Sequence, residues 1–580
     1  MTSDEELRRA VAGATATTLF QRTVTQASEA TALRWRTGPA GAGSMTWSEY
    51  ADRACRLAAA LRGLGVGAGD RVILLMTNRP EFYVCDMAVM LAGATPVSIY
   101  NSSSPEQIRY VAAHCGAVAA IAGDLGFLGR IRQVSASLGD LRHLLVVDDP
   151  DGSADRAVLR VAELQAGPAD DLTSAVGRLR PDDLLTLIYT SGTTGPPKSV
   201  MLTHANICWL LESWARAMGA DGASRPMGGW RMISYLPMAH IAERLFSYYL
   251  HMAHGSEVTT CPDPTQVNDY LGTVRPNCFF GPPRVWEKFH GAIRSSAPEG
   301  IDAMLTRRDA EEMRALRALI GLEDCHMALT GAAPMHPDVH RFLLDIGIPL
   351  SEIYGLSECT GPMTWSPHRV RTGTVGPPIP GQEVRIAADG EVLARGGNVF
   401  TGYLDDAVRT AEVLDGDGWL HTGDVGSFDD DGYLRILDRK KELIITAGGK
   451  NISPANLEAA LKSFPLIGQA CAVGDRRPYV TALIVLDANE AQRWAQARGL
   501  GDLTLGEIAA SAELHTEISE NVDVSNARFS RVEQVKAFAV LSAEWMPDSE
   551  ELTATMKLKR RAIHEKYATE IDGLYAGTCP

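Results

Sequence analysis

Short apolar runs alternate with longer amphipathic stretches through roughly the first three hundred residues. Val72-Ile-Leu-Leu-Met76 and Leu184-Leu-Thr-Leu-Ile188 are continuous apolar runs of strand length, the pattern of strands buried on both faces. Interleaved with helical segments, they predict α/β layering. Near Gly373 the texture changes to short strand-like runs joined at Asp389-Gly390 and Asp431-Gly432, dipeptides suited to tight hairpins. A β-rich, barrel-like block is therefore expected to close a large domain. After Asp438-Arg-Lys-Lys441 the pattern turns helical. Leu457, Leu461 and Phe464 fall on one face behind a Ser453-Pro454 start signal, and Ala482-Leu-Ile-Val-Leu486 reads as a strand. The expected organisation is a large α/β domain over residues 1–438 and a small α+β domain over 439–580.

Size alone requires more than one core, because 580 residues exceed what a single core supports. An apolar content of 45% with 22% charged residues is ordinary for a soluble globular protein. The net charge of −16, with no long basic run, argues against nucleic acid as a partner. A polyanionic ligand would have to be held by local cations and backbone N–H groups. The 10 cysteines are scattered, which suggests neither a disulfide framework nor a zinc ribbon. No basic, apolar leader opens the chain, and its most apolar segment, Tyr83 to Tyr100, contains Asp86. A cytoplasmic location is expected, with peripheral contact at the inner face of a membrane and the oligomeric state left open.

The strongest chemical signal is Tyr189-Thr190-Ser191-Gly192-Thr193-Thr194-Gly195-Pro196-Pro197-Lys198, directly behind an apolar strand. Glycines permit close backbone approach, hydroxyls and N–H groups donate to phosphate oxygens, and Lys198 adds a mobile positive charge. It is not a Walker A loop, since Pro197 stands where the last glycine should be and has no N–H to give. Two weaker patterns carry no functional expectation. Gly63-Leu-Gly-Val-Gly67 precedes a strand instead of following one, so it reads as a turn. His336 and His340 have metal-ligand helical spacing but no third ligand in view.

Together with Tyr354-Gly-Leu-Ser-Glu358, Gly418-Trp-Leu-His-Thr-Gly-Asp424 and Asp438-Arg-Lys-Lys-Glu-Leu-Ile444, the loop resembles the AMP-forming acyl-CoA synthetase, luciferase and peptide-synthetase adenylation superfamily. The likeness runs from about Thr46 to Tyr575. It implies that Thr190, Ser191, Gly192, Thr193, Thr194, Gly195 and Lys198 bind the nucleotide phosphates, with Glu358 and Thr190 at a Mg2+ ion. Gly331-Ala332-Ala333 and Tyr354 would form the adenine slot, Gly355 and Ser357 would also bind the nucleotide, and Asp424 and Arg439 would hold the ribose. Leu552-Thr-Ala-Thr-Met-Lys-Leu-Lys-Arg560 aligns with the segment carrying the family's adenylation lysine, which assigns that role to Lys557, with Lys559 competing. Lys441 would be the hinge about which the small domain swings, presenting Gly448-Gly449-Lys450 for the second half-reaction.

Pro96-Val-Ser-Ile-Tyr-Asn-Ser-Ser-Ser104, Leu236-Pro-Met-Ala-His240-Ile-Ala-Glu-Arg244 and Phe279-Phe-Gly-Pro-Pro-Arg-Val-Trp286 resemble the long-chain fatty acyl-CoA synthetase branch. His240 and Trp286 would then serve the acyl and coenzyme A sites. The implied substrates are a fatty acid, ATP and coenzyme A. Two departures stand out. The segment from Trp286 to Gly331 is shorter than in many long-chain enzymes, and Ser199 replaces the glycine that usually follows the loop lysine; a positive φ there would strain a serine. The alternatives are a fatty acyl-AMP ligase serving a carrier protein, and a non-catalytic relative that binds nucleotide or acyl chain.

Overall fold

A computed structural model describes residues 3–36, 41–149, 151–152, 154–190, 196–219, 227–296, 300–445, 451–501, 503–547, 549–553 and 556–576. The apolar run at Val72 is the strand Arg71–Leu75, at the heart of a five-stranded parallel sheet with Thr95–Ser98 on one side and Ala117–Ala122, His143–Val146 and Val158–Arg160 on the other. Every residue of Ala117–Ala122 is buried, so both faces are covered. The helix Pro80–Leu91 is buried on nearly all sides, which is why it is apolar all round. Helix Trp47–Gly63 starts at a capping box in which the Thr46 hydroxyl accepts from Glu49 N and the Glu49 carboxylate accepts from Thr46 N.

A second, three-stranded parallel sheet runs Cys278–Phe280, Met327–Thr330, Leu350–Glu352. Its C-terminal ends deliver Gly331 and Tyr354, the usual placement of ligand-binding groups at the carboxyl edge of parallel strands. The run at Leu184 is the strand Leu184–Thr190, paired antiparallel with Lys198–Thr203, whose other edge pairs with Gly402–Tyr403. Both Asp-Gly dipeptides turn hairpins, Gln382–Ile386 to Glu391–Gly396 and Leu420–Phe428 to Leu434–Arg439, within one antiparallel four-stranded sheet. The end strands of that sheet do not pair with each other among the described residues.

From Ile444 onward the chain builds two cores of its own. One includes Leu457, Leu461, Ile484, Ile518 and Val535; the other includes Cys471, Leu483, Leu552 and Ile563. Helix Pro454–Lys462 is capped by the Ser453 hydroxyl, which accepts from Asn456 N. The sheet beside it pairs Ile467–Val473 with Val480–Leu486 antiparallel and the latter with Val535–Leu541 in parallel. Two arginines tie this unit to the large one. Arg284 donates to Asp487 Oδ2 at 3.1 Å and to the Lys462 carbonyl, and Arg528 Nη2 lies 2.6 Å from Asp338 Oδ2.

Three positions singled out in the sequence are placed here. Trp286, expected at the acyl or coenzyme A site, is fully buried in the core with Phe279 and Phe289, its Nε1 donating to the Gly281 carbonyl; an indole with no accessible surface lines no tunnel. Ser199 lies inside the strand Lys198–Thr203 opposite Tyr189 and is not among the residues with positive φ, so the strain conditional on such a φ does not arise. His340 uses both ring nitrogens, toward Thr372 Oγ1 and the Leu350 carbonyl, while His336 caps the following helix through Nδ1 and meets Arg528 through Nε2, which leaves neither free for a metal. The nine described cysteines are all unpaired and buried.

Candidate active site

The hairpin of the expected phosphate loop places Thr190 directly across from Lys198. Ser191, Gly192, Thr193, Thr194 and Gly195 lie outside the described residues, as do Gly448, Gly449 and Lys450. The Lys198 ammonium stands over the Tyr403 ring, 4.7 Å from its centroid, and the Tyr403 hydroxyl donates to Glu358 Oε1 at 2.8 Å. Glu358 sits in the single turn Ser357–Cys359, which packs on the strand Lys198–Thr203. Lysine, tyrosine and glutamate thus form one chain of contacts beside the loop. Sequence reasoning missed Tyr403: a Gly-Tyr dipeptide carries no signal until the Gly402–Tyr403 strand is seen paired to Val200 and Met201.

The residues expected at the adenine slot follow two strand ends. Gly331 has Ile353 so close that a Cβ would lie 3.1 Å from its carbonyl oxygen, and Ala332 next to it holds φ 69°, a left-handed conformation that alanine rarely adopts. Such an outlier is maintained only by its surroundings, and Ala332 and Ala333 are both exposed. Gly355 admits no other residue, since a Cβ there would lie 1.8 Å from the Gly361 carbonyl oxygen. The Tyr354 hydroxyl donates to Asp424 Oδ2 at 2.6 Å, and Arg439 Nε holds Asp424 Oδ1 at 2.9 Å. Asp424 and Arg439 are cross-strand partners, so the hairpin itself brings the pair together. Burial raises the Asp424 carboxyl, opposed by Arg439, Tyr354 and Lys557.

Lys557 joins this group from the far end of the chain. Met556 turns at φ 63°, Thr553 N donates to the Lys557 carbonyl at 2.9 Å, and Lys557 N donates to Thr553 Oγ1 at 3.0 Å, which pairs the lysine backbone with Thr553. The side chain keeps solvent access yet is closely surrounded. Its pKa is lowered first by desolvation and then by Arg439, against the raising influence of Asp424, Glu358 and Glu442. Lys559, the competing candidate, donates instead to the Ser549 carbonyl at 2.7 Å within the small unit. His240 lies near enough to feel Lys557: burial, then the lysine's charge, lowers its pKa to about 4, so the ring is neutral at physiological pH. Its Nδ1 accepts from Ala242 N at the head of a helical segment that becomes a π-turn over Arg244–Tyr249. That turn is anchored by Arg244, whose Nη2 donates to both carboxylate oxygens of Asp86 in a fully buried ion pair. Lys441, the expected hinge, is exposed in the turn after the strand Leu434–Arg439.

The structure therefore brings together Lys198, Glu358, Tyr354, Asp424, Arg439, His240 and Lys557, drawn from both units of the chain. The model of the AMP-binding enzyme family matches residues 20–404, and that of the AMP-binding enzyme C-terminal domain matches 441–578. The chain belongs to the AMP-binding enzyme family. Among relatives of this AMP-binding enzyme, long-chain-fatty-acid–CoA ligase FadD15 of Mycobacterium tuberculosis is 36% identical over 565 residues, covering 92% of each chain. Long-chain-fatty-acid–CoA ligase ACSBG2 of Xenopus laevis is 32% identical, covering 97% of this chain and 84% of its own. Among solved structures, the adenylation domain of carboxylic acid reductase from Segniliparus rugosus, in complex with AMP and a carboxylic acid, superposes with a TM-score of 0.80 at 21% identity, covering 99% of this chain and 96% of that one.

The residues present fit a magnesium ion brought in with a nucleotide. Among the described residues no three His, Cys, Asp or Glu side chains cluster as a protein cage, and Glu358 stands as a single carboxylate beside the Lys198–Thr203 strand. One carboxylate plus phosphate oxygens and water is how this hard cation prefers to be held. No helix among the described residues is long and apolar enough to cross a membrane.

Proposed function

We propose that this AMP-binding enzyme is a fatty acid–CoA ligase: it activates a medium- to long-chain fatty acid with ATP to acyl-AMP, releasing pyrophosphate, and transfers the acyl group to coenzyme A. The observation that carries the reading is the meeting of Lys557 with Asp424, Arg439 and Glu358, groups far apart in sequence and drawn from both units. The relatives at 36% and 32% identity bear fatty-acid–CoA ligase names, which supports the substrate class.

In this reading Asp424 accepts from the ribose hydroxyls while Arg439 and Tyr354 hold its carboxylate in place. Lys198 and the hairpin loop receive the β- and γ-phosphates. Magnesium at Glu358 and Thr190 would neutralise phosphate charge. Lys557 bridges the α-phosphate and the attacking carboxylate, stabilising charge that builds in the transition state. The orientation seen here, with Lys557 at the site, is then the adenylating one. Thioester formation calls for the small unit to turn about Lys441 and bring the 448–450 loop forward, which breaks the Arg284–Asp487 and Arg528–Asp338 contacts.

The test is release of AMP and pyrophosphate from ATP with a series of fatty acids, with and without coenzyme A. Turnover that needs coenzyme A supports the ligase; stoichiometric acyl-AMP that coenzyme A does not discharge indicates a ligase serving a carrier protein; no release with any acid indicates a non-catalytic relative.

A further inference from the structure

We propose that Tyr403 is a positioning residue that presets both charged groups of the phosphate site, fixing Glu358 through its hydroxyl and Lys198 through its ring. The inference rests on the reading of Glu358 as a magnesium ligand and Lys198 as a phosphate ligand.

Several observations converge on this residue. The hydroxyl donates to Glu358 Oε1 at 2.8 Å, and among the described residues no hydrogen bond occupies Oε2. One carboxylate oxygen is thereby pinned and the other left for the cation, the arrangement by which an outer partner orients a metal-binding carboxylate. The ring face receives the Lys198 ammonium at 4.7 Å, a cation–π contact that holds the charge near the site. The tyrosine itself is rigidly mounted. It is 4% exposed, it packs edge-on against Phe400 at 5.0 Å, and its backbone N donates to Thr410 Oγ1 at 2.9 Å. Its strand pairs with the Lys198 strand, with Tyr403 opposite Val200. The Glu358 backbone is tied to the same segment, because Phe400 N donates to the Glu358 carbonyl at 2.8 Å. Ring and hydroxyl therefore link the phosphate hairpin to the Glu358 turn through one side chain that needs no rearrangement.

The two functions separate by mutation. Tyr403→Phe keeps the ring and removes the hydroxyl; Tyr403→Leu removes both. ATP binding by the full chain is measured by calorimetry with fatty acid and coenzyme A omitted, either across a magnesium series or with EDTA, and melting temperatures are recorded alongside. Loss of an outer partner of a metal ligand typically weakens metal affinity by about 10- to 100-fold, so Tyr403→Phe should raise the half-saturating magnesium concentration by that order while leaving metal-free ATP affinity unchanged. Tyr403→Leu should weaken metal-free ATP binding as well, through Lys198. Glu358→Gln is the control that separates the failures. If Glu358→Gln raises the magnesium requirement and Tyr403→Phe does not, the role of Tyr403 is overturned. If neither raises it, Glu358 is no metal ligand and the underlying reading falls. If Tyr403→Phe weakens ATP binding equally with and without magnesium and lowers the melting temperature, Tyr403 is a packing residue and the inference is refuted.

Discussion

Replacing Lys557 by alanine should separate catalysis from stability. Its ammonium is held where desolvation and Arg439 both disfavour the charge, only partly offset by Asp424, Glu358 and Glu442. A lysine whose pKa is lowered in the folded state subtracts stability wherever it is charged in the unfolded chain, so its removal should leave the melting temperature unchanged or slightly raised. The effect on adenylation has the opposite sign. A unit charge about 4 Å from a developing oxyanion is worth on the order of 4 kcal/mol at an effective dielectric near 20. Losses on removing such preorganised groups run at about 10²- to 10³-fold. Acid-dependent pyrophosphate exchange should therefore fall by that factor in Lys557→Ala, while thioester formation from presupplied acyl-AMP stays near wild type. Lys559→Ala, which removes a contact to the Ser549 carbonyl, should show the reverse balance, with exchange retained and some stability lost. The reasoning is refuted if Lys557→Ala retains exchange, or if its loss of exchange is matched by a fall in melting temperature.

Asp424→Asn should raise the KM for ATP by about 10- to 100-fold, since it replaces charge-assisted hydrogen bonds worth about 1.5–3 kcal/mol; an unchanged KM would remove Asp424 from the nucleotide site. Glu243 is buried and takes hydrogen bonds from Ser247 Oγ and Leu236 N, and burial moves its carboxyl from an ordinary 4.5 to about 7. Because the folded value is the higher, its stability contribution is full below pH 4.5 and is lost as pH rises through 7, a change on the order of 3 kcal/mol. Glu243→Gln should flatten the fall in melting temperature between pH 5 and 8, though not abolish it, because burial also raises Glu352 to about 7; an unaltered slope would contradict the assignment. Lys441→Pro should support pyrophosphate exchange yet lose thioester synthesis by orders of magnitude, with Lys441→Ala mild in both; equal losses in the two half-reactions would speak against a hinge.

What could be read from the sequence divides along physical lines. Continuous apolar runs and Asp-Gly turns are local signals, and the strands at Val72 and Leu184 and both hairpins stand where those signals put them. The hairpin that sets Thr190 opposite Lys198 follows an apolar run that was legible in the sequence, whereas the cross-strand pairing itself was not. Asp424 and Arg439 could be named from motifs, but their pairing across one hairpin depends on register. The misses are tertiary. Trp286 has the composition of a tunnel lining and the burial of a core residue, and only packing tells the two apart. Tyr403, the π-turn at Arg244–Tyr249 and the buried Asp86–Arg244 pair leave no periodic trace, because each is defined by what the fold brings beside it.

The most direct test of the central claim is initial-rate release of AMP and pyrophosphate from ATP by the full chain with a long-chain fatty acid, measured with and without coenzyme A. The account predicts one AMP and one pyrophosphate per acyl-CoA formed, with sustained turnover only when coenzyme A is present. Release of ADP and phosphate, or no acid-dependent release with acids from short to very long chain, would contradict it.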